Sequence, residues 1–180
     1  QKKYMAPGDF KHKNSRWNKV IKTIDEQIKA IDAEIESLIA ANPVLTRQKD
    51  LLTSIDGVGD RIAINMIAIT GGFTGFQNAR QFCSFAGLTP YKYDSGTSVR
   101  SKAKISKRAN QTMKVLLHMS AVNVATRMKE GEYKEYYERK LKEGKHKMCI
   151  FNVLRAKLVH RMFSVIKRDE LYTKQYKPAF

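Results

Sequence analysis

The sequence predicts a mainly α-helical protein: a long N-terminal coiled-coil helix, then a compact helical domain with a helix-hairpin-helix and a basic loop or short hairpin. Three observations carry that expectation. Apolar residues recur at alternating steps of four and three from Trp17 to Leu38. A Gly-Val-Gly turn at Gly57-Val58-Gly59 separates two helical patterns. A last apolar stripe runs through Ile150, Phe151, Val153, Leu154, Leu158, Met162, Phe163 and Ile166, as a core-facing helix requires. At 180 residues and 42% apolar content, the chain suffices for one compact domain plus an extension.

The elements follow in order. Residues 1–16 carry Lys2, Lys3, Lys11, Lys13 and Arg16 against Asp9, with a break at Pro7-Gly8, and are expected to form a flexible basic lead-in. Residues 17–42 form the coiled-coil helix. Trp17, Ile24, Ile31 and Leu38 occupy one heptad position and Ile21, Ile28 and Ile35 the other; packing of this helix on its own domain is the competing expectation. Asn42-Pro43 ends it, because the residue before proline is driven out of the α region. The second unit spans 45–168, and 169–180 is a tail. Within it, Thr89 to Lys104 is loop-like and suits a loose hairpin, and Asn110 caps a helix through Met113, Leu116, Leu117, Ala121 and Val124. Residues 130–147 are a solvated helical face with Tyr133, Tyr136 and Tyr137 turned inward.

Charge narrows the function. Thirty-four Lys and Arg against seventeen Asp and Glu give +17, which calls for a polyanionic partner, because neutralising phosphates releases condensed counterions. Between Gly71 and Lys129, Asp94 is the lone acid, so the positive charge is concentrated there. No apolar run is long enough to span a bilayer, and the polar opening is no signal peptide, so no membrane partner and a cytoplasmic location are expected. Cys83 and Cys149 lack CxxC spacing and are expected to be buried thiols.

Two segments carry possible chemistry. In Leu52 to Ala63 the turn glycines Gly57 and Gly59, with Val58 between them, are expected to present backbone N–H groups at a helix start to a phosphate, gripping backbone without reading bases. Asp56 and Asp60 oppose that contact. In the second segment, Ser95-Gly96 sits among cations, with Arg100, Lys102, Lys104, Lys107, Arg108 and, beyond the cap, Lys114 as expected nucleic-acid contacts. A serine hydroxyl needs a base or metal to become a nucleophile, and no histidine is near in sequence, so spacing alone favours a phosphate-binding loop over attack on the phosphodiester. His12, His118, His146 and His160 have no metal-ligand spacing, and the acids form no obvious two-metal cage, so no metal site is expected and the chain alone is not expected to hydrolyse DNA.

Taken in order, Ile55-Asp56-Gly57-Val58-Gly59, Phe76-Gln77-Asn78-Ala79-Arg80-Gln81-Phe82, Phe85-Ala86-Gly87-Leu88-Thr89-Pro90, Ser95-Gly96 and Ile105-Ser106-Lys107-Arg108-Ala109-Asn110 resemble the C-terminal domain of the insertion-sequence one-ten family of transposases. The similarity covers roughly residues 45–168, and the 17–38 helix resembles the coiled coil that precedes that domain. Ala109 departs from a common glycine, and Met113-Lys114 from a frequent Leu-Arg. The resemblance implies a recombinase in two halves: an N-terminal RuvC-like nuclease domain, unmatched here, holding a divalent metal (Mg) on four acids, and a C-terminal domain whose serine attacks DNA. Ser95 matches that serine best, with Ser98 the alternative. It also implies DNA and a structured guide RNA as partners, a homodimer through residues 17–38, and a nucleoid-associated bacterial protein. On this reading the chain is a fragment without its own cofactor and inactive alone. A non-enzymatic helix-hairpin-helix binding module that dimerises, and a structural assembly protein, are the competing classes.

Overall fold

The computed structural model describes the backbone of residues 7–91, 104–105 and 109–173. The chain divides into two units, 1–46 and 47–180. Among the described residues the fold is mainly helical, as the periodicities predict.

In the first unit, α1 runs over Pro7–Ala40. It therefore starts well inside the stretch expected to be a flexible lead-in; proline is tolerated in a first turn because its missing N–H would find no helical partner there. The heptad residues Trp17, Ile21, Ile24, Ile28, Ile31 and Leu38 are 44% to 69% exposed. Asn42 both closes this helix and opens the next: its Oδ1 accepts from the N–H groups of Val44 and Leu45 at 3.0 and 3.4 Å. With Pro43 in the first position, that is a strong helix start, and α2 follows as Pro43–Thr53.

In the second unit, α3 (Asp60–Thr70) ends at Gly71, which takes the left-handed conformation and donates to the carbonyls of Ala68 and Ile67. Helix α4 (Ala79–Phe85) is capped by Asn78, whose side chain accepts from Gln81 N–H, while Gln81 Oε1 accepts in return from Gln77 N–H at 2.9 Å. Strands β1 (Pro90–Tyr91) and β2 (Lys104–Ile105) pair antiparallel, Pro90 opposite Ile105 and Tyr91 opposite Lys104. Helix α5 (Gln111–Val122) starts at the Asn110 cap, as the sequence predicts, and opens into a π turn over Asn123–Arg127. Helices α6 (Glu132–Lys142) and α7 (Lys147–Arg168) complete the body.

Helix α7 packs against α4, α5 and α6. Leu154, Leu158, Val159, Met162 and Val165 are fully buried, facing a core that includes Met113, Leu117 and Ala121 of α5 and Phe82 of α4. Fully burying a Leu or Met contributes about 1.5–3 kcal/mol each, so this helix is the principal staple. Val153, expected in the core, is 40% exposed. Tyr133 and Tyr137 turn inward. Tyr136 instead lies under cations, with Lys157 Nζ 4.4 Å from its ring centroid. Cys83 is buried, its thiol pushed up to about 11 by desolvation, whereas Cys149 is exposed, contrary to expectation.

Candidate nucleic-acid interface

The α2–α3 connection is built by one demanding glycine. Gly57 has φ +83°, and a Cβ there would lie 2.2 Å from Cγ1 of Val124. Its carbonyl accepts from Ser120 Oγ at 2.7 Å, so the turn is pressed onto α5 and the π turn. Only glycine tolerates both the angle and the approach. Ile55 and Val58 are buried on either side, and Val58 N–H donates to the Ile55 carbonyl at 3.0 Å. Of the residues expected to contact phosphate, Val58 turns its side chain inward with its N–H bonded to Ile55, and Gly57, half-buried, shapes the turn against the body through its angle and its carbonyl.

Gly59 is different. It is the exposed residue before α3, at φ −94° and ψ 176°, without a side-chain cap bond. A Cβ added there would meet nothing within 4 Å, so neither backbone angle nor internal packing demands glycine at this position. Its carbonyl accepts from Ile62 and Ala63, both at 3.0 Å, at the start of α3. The backbone at a helix start is suited to phosphate by geometry and by the helix dipole. Asp60 beside it is partly offset by Lys49, at 3.3 Å.

The second predicted segment is anchored at both ends: the β1–β2 pairing joins Tyr91 to Lys104. Ser95, Ser98, Arg100, Lys102, Lys107 and Arg108 lie outside the described residues, as does the Lys104 side chain. Lys114 is half-buried in the first turn of α5.

A cationic groove of about 530 Å³ lies along α7, lined among others by Glu132, Lys157, His160, Arg161, Arg168 and Tyr172. Arg161 is held on three sides: it donates to Glu132 Oε2 at 2.6 Å and stacks on Tyr133 and Tyr172 at 4.7 and 4.6 Å. That hydrogen bond, with Lys157 at 3.7 Å, holds the Glu132 carboxyl below its ordinary range. The apolar stripe of α7 predicts its core side and gives no sign of this outer face. The i, i+4, i+7 spacing of Lys157, Arg161 and Ser164 was the available signal. Among the described residues, no three His, Cys, Asp or Glu side chains gather where they could hold a metal ion. Nor is any described helix long and apolar enough to cross a membrane.

Residues 49–138, which take in the Gly57 turn, the β1–β2 pair and the Asn110 cap, match the family described as Transposase IS116/IS110/IS902 family. The chain belongs to that family. Among its curated relatives, the pilin gene-inverting protein of Moraxella lacunata is 28% identical over 153 residues, covering 83% of this chain and 46% of the relative. The corresponding Moraxella bovis protein matches to the same extent. The insertion element IS110 uncharacterized 43.6 kDa protein of Streptomyces coelicolor is 29% identical over 150 residues, 83% of this chain and 35% of its own length. The matched part of the chain thus spans less than half the length of these relatives.

Proposed function

We propose that this chain is the DNA-engaging, serine-supplying C-terminal part of a transposase or site-specific recombinase. The observation that carries the proposal is the turn before α3: Gly59 is exposed and free of any internal demand for glycine, while Gly57 locks the turn to the body. A glycine that the fold itself does not require fits close approach by a ligand backbone. The net charge of +17 and the acid-poor stretch from Gly71 to Lys129 supply the attraction.

On this reading the hairpin grips phosphates, and the segment held by β1 and β2 presents Ser95 among Arg100, Lys102, Lys104, Lys107 and Arg108. Ser95 Oγ attacks phosphorus, its proton leaving to a base, and a phosphoserine ester forms as a DNA hydroxyl departs. A separate acidic nuclease domain elsewhere in the full protein would hold the divalent metal (Mg), as the family resemblance implies. The exposed α1 stripe supports a homodimer through residues 17–38, and a structured guide RNA is a second polyanion the basic surface would accept.

The test has two arms. Binding of duplex DNA measured across salt concentrations should give a steep log–log slope that falls by up to about 0.9 for each phosphate contact removed when Lys102, Lys104, Lys107 and Arg108 are changed to Glu. In a protein that carries both halves, Ser95→Ala should abolish the trapped covalent DNA adduct. An undiminished adduct would remove the nucleophile role and leave a nucleic-acid-binding module.

A further inference from the structure

Arg155 sits on α7 in the interior, only 4% exposed. No carboxylate among the described residues pairs with it, and its Nε is enclosed without a hydrogen-bond partner. Desolvation lowers its pKa. A buried guanidinium without a counter-ion is costly, and proteins seldom retain one without a use.

Two neighbours share its condition. His118 of α5 packs edge-on against Phe151, ring centroids 5.6 Å apart, and Phe151 lies one turn before Arg155 on α7. His118 Nδ1 is enclosed without a partner. Burial lowers the pKa of this imidazole, and the Arg155 charge lowers it further, which places the two groups within electrostatic reach. Asn152, three residues before Arg155 and so on the same side of the helix, donates from Nδ2 to the Leu88 carbonyl at 2.7 Å. Its Oδ1 is also enclosed and unpartnered. Leu88 is two residues before β1, so Asn152 fastens the foot of the β1–β2 segment to this cluster. His118 and Asn152 are themselves only partly buried, so the cluster lies near the edge of the core.

We propose that Arg155, His118 and Asn152 form an anion site for a phosphodiester oxygen of DNA, at the foot of the segment that bears Ser95. The inference rests on the DNA-strand-transfer reading above and adds a phosphate-positioning group to it. Guanidinium and neutral imidazole supply N–H donors, and a charge-assisted bond to a phosphate oxygen is among the strongest a desolvated arginine can make. Asn152 Oδ1 is an acceptor beside them for a hydroxyl or a water accompanying the phosphate.

The test uses inorganic phosphate as the probe on the full chain. Melting temperatures are measured in phosphate and in chloride at matched ionic strength for wild type, Arg155→Met and Arg155→Lys. Phosphate stabilises most proteins by exclusion from their surface, so the readout is the difference between variants. In chloride, Arg155→Met should melt at or above the wild-type temperature, because it removes an unpaired buried charge at similar volume. In phosphate, wild type should gain several degrees that Arg155→Met does not, and Arg155→Lys should keep part of that gain. In wild type, the His118 ring resonances should move saturably with phosphate. Equal phosphate gains in wild type and Arg155→Met overturn the site, as does a large fall of Arg155→Met in chloride. Unmoved His118 resonances overturn it whether or not the variants fold. If these fail while salt-dependent DNA binding persists, the anion site alone is lost. If DNA binding fails, the proposed function falls whatever phosphate does.

Discussion

Helices α1 and α7 both repeat apolar residues at steps of three and four, yet Ile24, Ile28 and Ile31 of α1 are 52%, 44% and 54% exposed, whereas Leu154, Leu158 and Met162 of α7 are fully buried. Periodicity fixes which side of a helix is apolar and says nothing about what covers it. For α7 the cover is the chain's own α4, α5 and α6. For α1 the stripe is narrow, heptad-like and uncovered within its own unit, the arrangement a second helix would complete. Truncating a residue in the two stripes should therefore act through different equilibria. Leu158→Ala is expected to cost about 2–5 kcal/mol and to lower the melting temperature at every protein concentration. Ile28→Lys is expected to leave the melting of the body within about 0.5 kcal/mol of wild type, while the homodimer proposed above through residues 17–38 should give way to monomer in sedimentation. A body destabilised by Ile28→Lys, or an unchanged sedimentation profile, would break the contrast.

The same contrast recurs on a smaller scale at the two turn glycines. Gly57 combines a positive φ with a neighbour 2.2 Å from its absent Cβ, and Gly59 has neither constraint. Gly57→Ala should cost on the order of 3 kcal/mol from backbone strain and overpacking together. Gly59→Ala should leave stability within about 0.5 kcal/mol and show its effect in DNA affinity alone. Urea unfolding beside DNA titration separates the two. Equal stability losses would show that the turn packs as a unit, and unaltered DNA affinity in Gly59→Ala would move the phosphate contact elsewhere.

Much of this architecture was legible in the residues. The Asn110 cap, the α5 stripe and the buried run from Ile150 to Met162 follow from short-range chemistry, where one side chain meets a neighbour three or four residues away. Helix α4 is not apparent from periodicity, although Asn78 and Gln81 carry the reciprocal cap that marks its start. Seven residues are too few to show a period. The inward turn of Val58 and the burial of Arg155 were illegible for another reason: both depend on α5 and its π turn, or on α7 meeting residues far away in sequence. Electrostatic reach across such distances, as between Arg155 and His118, has no signature in spacing. The serine segment is expected from resemblance and from charge; Ser95 lies outside the described residues, and the β1–β2 pairing describes only the two ends of the segment.

The smallest effect lies on the outer face of α7, where ion pairs replace core packing. Glu132 is 57% exposed and receives Arg161 at 2.6 Å and Lys157 at 3.7 Å. Arg161's hydrogen bond outweighs partial desolvation, so the folded-state pKa lies below that of the unfolded carboxyl. Its contribution is therefore complete above the unfolded value and is lost as pH falls through the folded one. Exposure and screening limit it to less than about 1 kcal/mol. Glu132→Gln should thus be slightly less stable than wild type at neutral pH, and the two should converge in acid, once wild-type Glu132 is protonated and both side chains are uncharged. Arg161 remains between Tyr133 and Tyr172 in the variant, so loss of the acid removes one of its three supports and leaves the stack. A pH series of urea midpoints for both proteins measures this directly. A gap that persists undiminished in acid would show that the Glu132 carboxyl acts through packing, in the manner of α7's buried face, and not through its charge.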